Sequence, residues 1–314
     1  MMRISVCMCT YQGAEFLGSQ LSSIYGQTRR PDEVIISDDG STDKTVEIIK
    51  SFISDHNLSD KWQLTVNPQN IGYLRNYYQT CAKCTGDIVF FADQDDVWYS
   101  NKIEKMSEAI ENDSVINVLC CKFGIIDPDG KNISGIMAPT YSGESAGITD
   151  VSIESVFRKC EWPAMVLAFR KAWYDEWKEH TFNSLIPHDY LFCSKAAEEG
   201  GFKQLDLKLA EHRLHGNNTA KEENKLSVLL KKTRKLKEIE EYLKLIDDFE
   251  TEHVLNTERG RNALYSKKKM MLDRQYALES GEIRKVFSNG IRYFGKMRLK
   301  TFICDLLIVK QNRV

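Results

Sequence analysis

Through the first hundred residues, short apolar runs alternate with stretches in which apolar positions recur at helical spacing. RISVCMC, DEVIISD, WQLTV and DIVFFAD are the short runs, each ending near polar or turn-forming residues, and they predict β-strands. Between them, EFLGSQLSSIYGQ, TVEIIKSFI and YLRNYYQTCAKC have helical periodicity, as at Val46, Ile49 and Ile53. This alternation predicts an α/β fold with a Rossmann-like, mostly parallel central sheet and helices on both faces. Open sheets of this kind bind ligands outside the carboxyl ends of their strands. Chemistry is therefore expected on the residues that follow strands: Thr10 and Tyr11, then Asp38 and Asp39, then Asp93, Asp95 and Asp96.

A middle region from about Val115 to Asn218 adds a further strand, VINVLCCKFGIID, with a turn at DPDG before KNIS. Beyond Ala220 the texture changes to KEENKLSVLLKKTRKLKEIEEYLKLIDDFE, which is strongly helical. Leu229, Leu236 and Leu243, with Ile239 and Ile246, make its apolar stripe, and mixed charge covers the rest. Two parts are expected: an α/β domain over residues 1–220 and a helical C-terminal appendage over 221–314 that associates with a membrane or a second subunit.

Composition narrows the class. The chain has 314 residues, 42% hydrophobic and 28% charged, enough for one sizeable core plus an appendage. A net charge of −2 gives no global basic field and argues against nucleic acid as a partner. There is no apolar segment of signal-peptide length at the start, and no run near the roughly 20 apolar residues that span a bilayer. Cytoplasmic residence is the expectation. The nine cysteines are an odd number scattered through predicted strands and helices, which fits reduced thiols. Cys81 and Cys84 form a CxxC with no second ligand pair at zinc spacing, so packed thiols are expected there.

The most informative stretch is FFADQDDVW, an apolar run ending in the carboxylates of Asp93, Asp95 and Asp96. Carboxylates at this density repel one another unless a cation neutralises them. An EF-hand is excluded, because its loop needs glycine at the sixth position, where this chain has Trp98. A divalent ion shared with phosphates fits better, since Mg2+ and Mn2+ are held by one or two carboxylates plus phosphate oxygens and waters. The competing explanation is capping of a helix that starts near Tyr99 or Asn101, for which one aspartate suffices. SDDGSTD poses the same choice: Gly40 for a turn and Ser41, Thr42 or Asp43 for a cap, or Asp38 and Asp39 as acceptors for a nucleobase or ribose. Asp189, in PHDYLF, reads on its own mainly as a cap for the helix that follows.

The segments VCMCTYQGAEFLGSQLSSI, QTRRPDEVIISDDGSTDKTVEII, NPQNIGYLRNYYQTCAKCTGDIVFFADQDDVWYSNKI, PHDYLF and HRLHGNN, in that order, resemble family 2 glycosyltransferases. The nearest group is the rhamnosyltransferase-like enzymes of bacterial surface polysaccharides. The resemblance covers most of residues 3–220 and not the helical C-terminal third. It implies a GT-A fold, a dTDP-, UDP- or GDP-sugar donor, a glycan or lipid-linked acceptor, and inverting transfer with Mg2+ or Mn2+. By motif position, Thr10, Tyr11, Asp38 and Asp39 line the nucleoside site and Arg75 lies near the nucleotide. Asp93 and Asp95 form the D-x-D that meets metal and diphosphate, with Asp96 beside them on the donor. Asp189 holds the position of the catalytic base, and His215 the position that completes the metal shell; Arg213, Asn217 and Asn218 serve the same phosphates or order the loop. Inversion is one in-line displacement, so a single carboxylate must take the acceptor's proton as it attacks. The chain departs from its relatives at KCEWPAM, where Trp162 and Pro163 replace a small, glycine-rich segment.

Two alternatives have distinguishable signatures. A sugar-phosphate nucleotidyltransferase needs a glycine-rich N-terminal phosphate loop, and TYQGAEF offers one glycine. A degenerate transferase that binds glycan or organises partners would not need the motif carboxylates, which are intact here. At the C-terminus, Val286, Phe287, Ile291, Phe294, Phe302, Ile303, Leu306 and Leu307 recur at near-helical spacing among Arg284, Lys285, Arg292, Lys296, Arg298 and Lys300. Such a basic amphipathic segment either lies on the inner face of an anionic membrane or packs on the core or a second subunit of a homo-oligomer.

Overall fold

The structure is a computed structural model that describes residues 1–133, 147–159, 161–181, 183–216 and 230–311. The chain divides into two compact units, Met1–Val151 with Trp162–Leu214, and Ser152–Glu161 with His215–Val314. The expected boundary near residue 220, together with Asn217, Asn218 and Leu229, lies outside the described residues.

The first unit is built on one sheet. Its strands are β1 (Ile4–Thr10), β2 (Glu33–Asp38), β3 (Trp62–Val66), β4 (Ile88–Ala92), β5 (Val97–Trp98), β6 (Val118–Ile126), β7 (Ile148–Asp150), β8 (Leu167–Arg170) and β9 (Phe202–Arg213). The order is β3-β2-β1-β4-β8-β6-β9-β5, with β7 on β9. The four N-terminal strands are mutually parallel, as their alternation with α1 (Leu17–Tyr25), α2 (Thr45–Asp55) and α3 (Tyr73–Lys83) requires. All residues of β2 and β4 are buried, the near-continuous apolar run of a strand covered on both faces. Beyond β4 the sheet turns mixed: β8 inserts antiparallel between β4 and β6, while β6 and β9 run parallel to each other.

The remaining helices of this unit are α4 (Lys102–Asn112), α6 (Lys171–Asp175) and α7 (His188–Glu198). The DPDG turn forms as expected, Gly130 N donating to Asp127 O at 2.9 Å. Trp162 packs edge-on against Phe202 and donates from Nε1 to Gln204 Oε1 at 3.1 Å, so its ring is spent on the sheet.

The second unit is helical: α5 (Ile153–Lys159), α8 (Lys232–Thr251), α9 (Glu258–Ser280), α10 (Ile283–Arg292) and α11 (Leu299–Gln311). Ile239 of the expected stripe packs with Met270, Met271, Leu278, Val286 and Ile308 in its core. A buried ion pair crosses that core, Arg274 Nε and Nη2 donating to Asp305 at 2.8 and 3.0 Å. A cavity of about 610 Å³ lies in this unit among Phe157, Arg158, Asn262, Lys267, Met270 and Lys296. None of these is a candidate site residue.

Candidate functional site

Parallel pairing brings the carboxyl ends of β1, β2 and β4 to one rim. Thr10 is in register with Asp38 and Met8 with Ala92, so residues 93–96 leave the sheet beside the loop that begins at Tyr11. Asp38 is fully buried. Thr10 Oγ1 donates to its Oδ2 at 2.8 Å, and Ser41 donates to it from N and Oγ at 2.8 and 2.6 Å. Asp39 accepts from Asn67 Nδ2 and Ile71 N, both at 2.9 Å, and from Gly72 N at 3.0 Å. The two aspartates thus fix the loop after β2 and the loop that leads into α3. Gly40 turns between them with φ +77°, a left-handed conformation that side chains disfavour. Tyr11 is 47% exposed, and Arg75 lies exposed on the first turns of α3.

Gln94, inside the D-x-D, ties two of these loops together. Its amide makes a two-bond pair with the Tyr11 backbone, accepting from N at 2.9 Å and donating to O at 3.0 Å. A Cβ on Gly13 would sit 2.2 Å from Gln94 Oε1, so glycine there leaves the amide in its place in this pair.

The carboxylates themselves are held from behind. Tyr77 OH donates to Asp93 Oδ1 at 2.5 Å and lies 2.9 Å from Ala92 O. The short antiparallel pairing of β5 with β9, Val97 opposite Glu211, brings Asp96 alongside His212. Asp96, fully buried, meets His212 Nδ1 at 2.8 Å and accepts from Arg213 N at 3.1 Å. Its other oxygen, Oδ2, is buried with no hydrogen-bond partner. Arg213 is spent on architecture, donating from Nε to Asp95 O at 3.0 Å and from Nη1 to the carbonyls of Asp127 and Pro128.

Burial, then the charges of Asp96 and Asp95, push the Asp93 carboxyl up to about 7 against the hydrogen bond from Tyr77. Burial works against a charged His212, but the hydrogen bond and charge of Asp96 outweigh it and raise the imidazole. Lys102, fully buried with its Nζ 3.8 Å from the Trp98 ring centroid, is pulled down to about 8 by burial.

This donor set fits a divalent ion of the phosphate-sharing kind. Among the described residues no group of three or more His, Cys, Asp or Glu side chains converges as a cage. Asp93 and Asp95 instead offer carboxylates at a strand end, with an orphaned buried oxygen on Asp96 beside them. Such a site leaves most of the coordination shell to ligand oxygens and water.

Asp189 lies in the first turn of α7, its Oδ1 accepting from Tyr190 N at 2.8 Å. Pro187, not Asp189, holds the cap position. Burial pushes its carboxyl up to about 6, and burial together with the Asp189 charge raises the Tyr73 phenol. His188, next in sequence, stacks on Tyr77 at 4.0 Å between ring centroids and meets Phe91 edge-on at 5.2 Å. The turn that carries Asp189 therefore packs against the tyrosine that holds Asp93. His215 belongs to the helical unit.

Tyr77, Gln94, His188 and His212 did not stand out in the sequence. His212 lies in the same HRLHGNN segment as His215, and an outlying alternation of Leu205, Leu207 and Leu209 marks the strand that carries it. The CxxC thiols are packed: Cys81 Sγ lies 3.6 Å from Cys7 Sγ, and burial raises the thiols of Cys7 and Cys81.

The family model described as Glycosyl transferase family 2 matches residues 5–170, more than half of the chain, and ends before Asp189 and His215. An uncharacterized glycosyltransferase of Nostoc sp. (strain PCC 7120) is 28% identical over 226 residues, covering 69% of this chain. The alignment spans 66% of that relative's own length. The dTDP-rhamnosyl transferase RfbG of Shigella flexneri is 32% identical over 106 residues, 33% of this chain and 36% of its own. In fold, the chain is similar to S. aureus TarS 1–349 in complex with UDP-GlcNAc, with a TM-score of 0.60 at 16% identity over 88% of this chain and 72% of TarS.

Proposed function

The chain belongs to glycosyl transferase family 2 and has a GT-A-like fold, and from that premise we propose an inverting, metal-dependent glycosyltransferase that moves a sugar from a nucleotide-sugar donor to a glycan or lipid-linked acceptor. The observation that carries this proposal is the gathering of Asp93, Asp95 and Asp96 on the rim where Thr10, Tyr11 and Asp38 also end. A dTDP-sugar such as dTDP-rhamnose is supported by the Shigella relative's name, and a UDP-sugar by the TarS complex. Surface-polysaccharide assembly in the cytoplasm is the proposed setting, in keeping with a core rich in packed thiols.

In this reading Asp38 and Asp39 shape the nucleoside site by fixing its loops, Tyr11 offers an exposed ring for stacking, and Arg75 supplies charge near the nucleotide. Asp93 and Asp95 hold the divalent cation, and Asp96 orients the donor side. When bound, Mg2+ or Mn2+ supplies positive charge for the departing diphosphate. Asp189 takes the proton of the acceptor hydroxyl. Its raised pKa, about 6, makes it a stronger base than an ordinary carboxylate while leaving it ionised at neutral pH.

Thermal stability measured against UDP, dTDP and GDP, each with and without Mn2+, tests the proposal. A nucleotide that binds only the native state adds about 2.7 kcal/mol at a hundredfold excess over its Kd. The expected result is a metal-dependent shift with one nucleotide that Asp93→Ala abolishes. A shift that ignores Mn2+, or survives Asp93→Ala, rules out the assigned metal site; no shift with any nucleotide in folded protein favours a degenerate binding protein.

A further inference from the structure

The last two helices present an apolar face that the helical unit itself does not cover. Phe287 and Ile291 of α10, with Phe294 just beyond it, are 50%, 80% and 90% exposed. Leu299, Ile303 and Leu307 of α11 are 71%, 45% and 38% exposed. Spacings of four residues place Phe287 with Ile291, and Leu299 with Ile303 and Leu307, on one stripe each, and Phe294 follows in the turn that closes α10. Phe302 joins the stripes: its ring meets Phe287 at 5.9 Å, and a Cβ on Gly290 would lie 2.4 Å from it, so the helices are in close contact there. The opposite sides of both helices are committed to the core through Val286, Asn289, Cys304, Ile308 and Val309. Single exposed apolar residues are ordinary, but five large ones on adjoining stripes, with a sixth in the turn, are not.

Charge says what covers this face. Between Ile283 and Gln311 there are seven Lys and Arg, of which Lys285, Arg292 and Arg298 pair with Glu282, Asp273 and Glu161, and a single acidic residue, Asp305. That acid is buried in its ion pair with Arg274, so it offers no negative charge to the surface. Arg284 shares the stripe of Phe287 and Ile291, while Lys300 and Lys310 flank that of Ile303 and Leu307, all three exposed. A second copy of this chain would set these cations against their own counterparts. An anionic bilayer surface meets both features at once, accepting apolar side chains below the headgroups and cations among the phosphates. Among the described residues no helix is long and apolar enough to cross a membrane, so a helix pair lying in the interface is the form this contact takes.

We propose that the α10–α11 pair is a docking surface for anionic phospholipid membranes. The full chain is tested by flotation with vesicles of phosphatidylcholine mixed with phosphatidylglycerol, and with phosphatidylcholine alone, at low and high salt. Binding is expected only to the anionic vesicles and is expected to weaken with salt. The double variant Ile291→Asp/Phe294→Asp, at positions too exposed to matter for folding, is expected to melt with the parent. Its vesicle affinity is expected to fall by roughly tenfold or more, since each large apolar side chain moved out of water is worth about that factor. Arg284→Gln/Lys300→Gln is expected to lose the preference for anionic lipid. Three outcomes overturn the proposal: no vesicle binding by the parent, equal binding by the Asp variant, or a parent dimer in solution that the Asp variant dissolves.

Discussion

Asp189→Asn separates the chemistry of this residue from its cost. Burial holds the Asp189 carboxyl at about 6 instead of the ordinary 3.8. Its pKa is raised on folding, so the native state binds more protons than the unfolded state between those values. Stability from this residue therefore falls as pH rises through that window, and the full penalty is present above about 6. A displacement of roughly two pH units corresponds to about 3 kcal/mol. Asparagine keeps the shape and an oxygen for Tyr190 N but never ionises, so the variant should be the more stable protein at pH 7.5 by up to about 3 kcal/mol. In a folding unit of roughly 200 residues this amounts to about 7 °C in Tm.

The assay is thermal and urea unfolding of parent and variant at pH 7.5, 5 and 4. Integration of the linkage makes the difference about half as large at pH 5 and small at pH 4. His188, whose imidazole is held down at about 3 by burial, brings its own acid dependence, but it is present in both proteins and cancels in the difference. A variant that is less stable than the parent at pH 7.5, or a difference that does not change with pH, would refute the burial of Asp189 as an uncompensated carboxylate. If Asp189 is the base, the same substitution removes about 10²- to 10⁴-fold of turnover, so gain of stability and loss of activity should arrive together.

Gly13→Ala drives a methyl into the Gln94 amide, which must swing aside and give up its pair with Tyr11, and should cost about 1 kcal/mol; a double-mutant cycle with Gln94→Ala is expected to be non-additive, because both changes remove the same pair. Breaking the buried pair in the helical unit with Arg274→Met should destabilise it by about 3–5 kcal/mol, and adding Asp305→Leu should recover most of that, as read by chemical denaturation. His188→Phe keeps the stack on Tyr77 while removing two buried ring nitrogens that have no hydrogen-bond partner, so it should raise stability by about 1–3 kcal/mol at neutral pH, where the imidazole is neutral. A drop in Tm for that variant would mean the nitrogens are bonded in solution.

How much of this was legible in the sequence depends on the range of each interaction. The four parallel strands were legible because each carries its own apolar run, and the rim followed from them: once β1, β2 and β4 are parallel, Thr10, Asp38 and Asp93 have nowhere else to end. The long strand β9 announces only its first half, where Leu205, Leu207 and Leu209 alternate with Asp206 and Lys208; from Ala210 through Glu211 and His212 the alternation stops, and that half is defined by pairing with β6 and β5 more than by its own pattern. His212 went unseen for the same reason. Its place beside Asp96 comes from a two-residue strand whose register no local signal announces.

Asp38 and Asp39 show a different limit. Their sequence offered a choice between helix cap and nucleoside contact, and the structure adds a third use: both carboxylates take backbone and side-chain donors from loops about thirty residues apart. That use bears on how a donor site can be pre-formed. A pocket made of loops alone would have to be ordered by its ligand, at a cost in affinity. Here Asp38 ties the loop after β1 to the one after β2, Asp39 ties the latter to the entry of α3, and Gln94 ties the first of them to the D-x-D. Tyr77, on α3, then returns from that entry to hold Asp93. The chain of contacts closes on itself, so displacing any one loop strains the others, and under the proposed function this is the frame that presents the carboxylates to the donor without waiting for a nucleotide to order it.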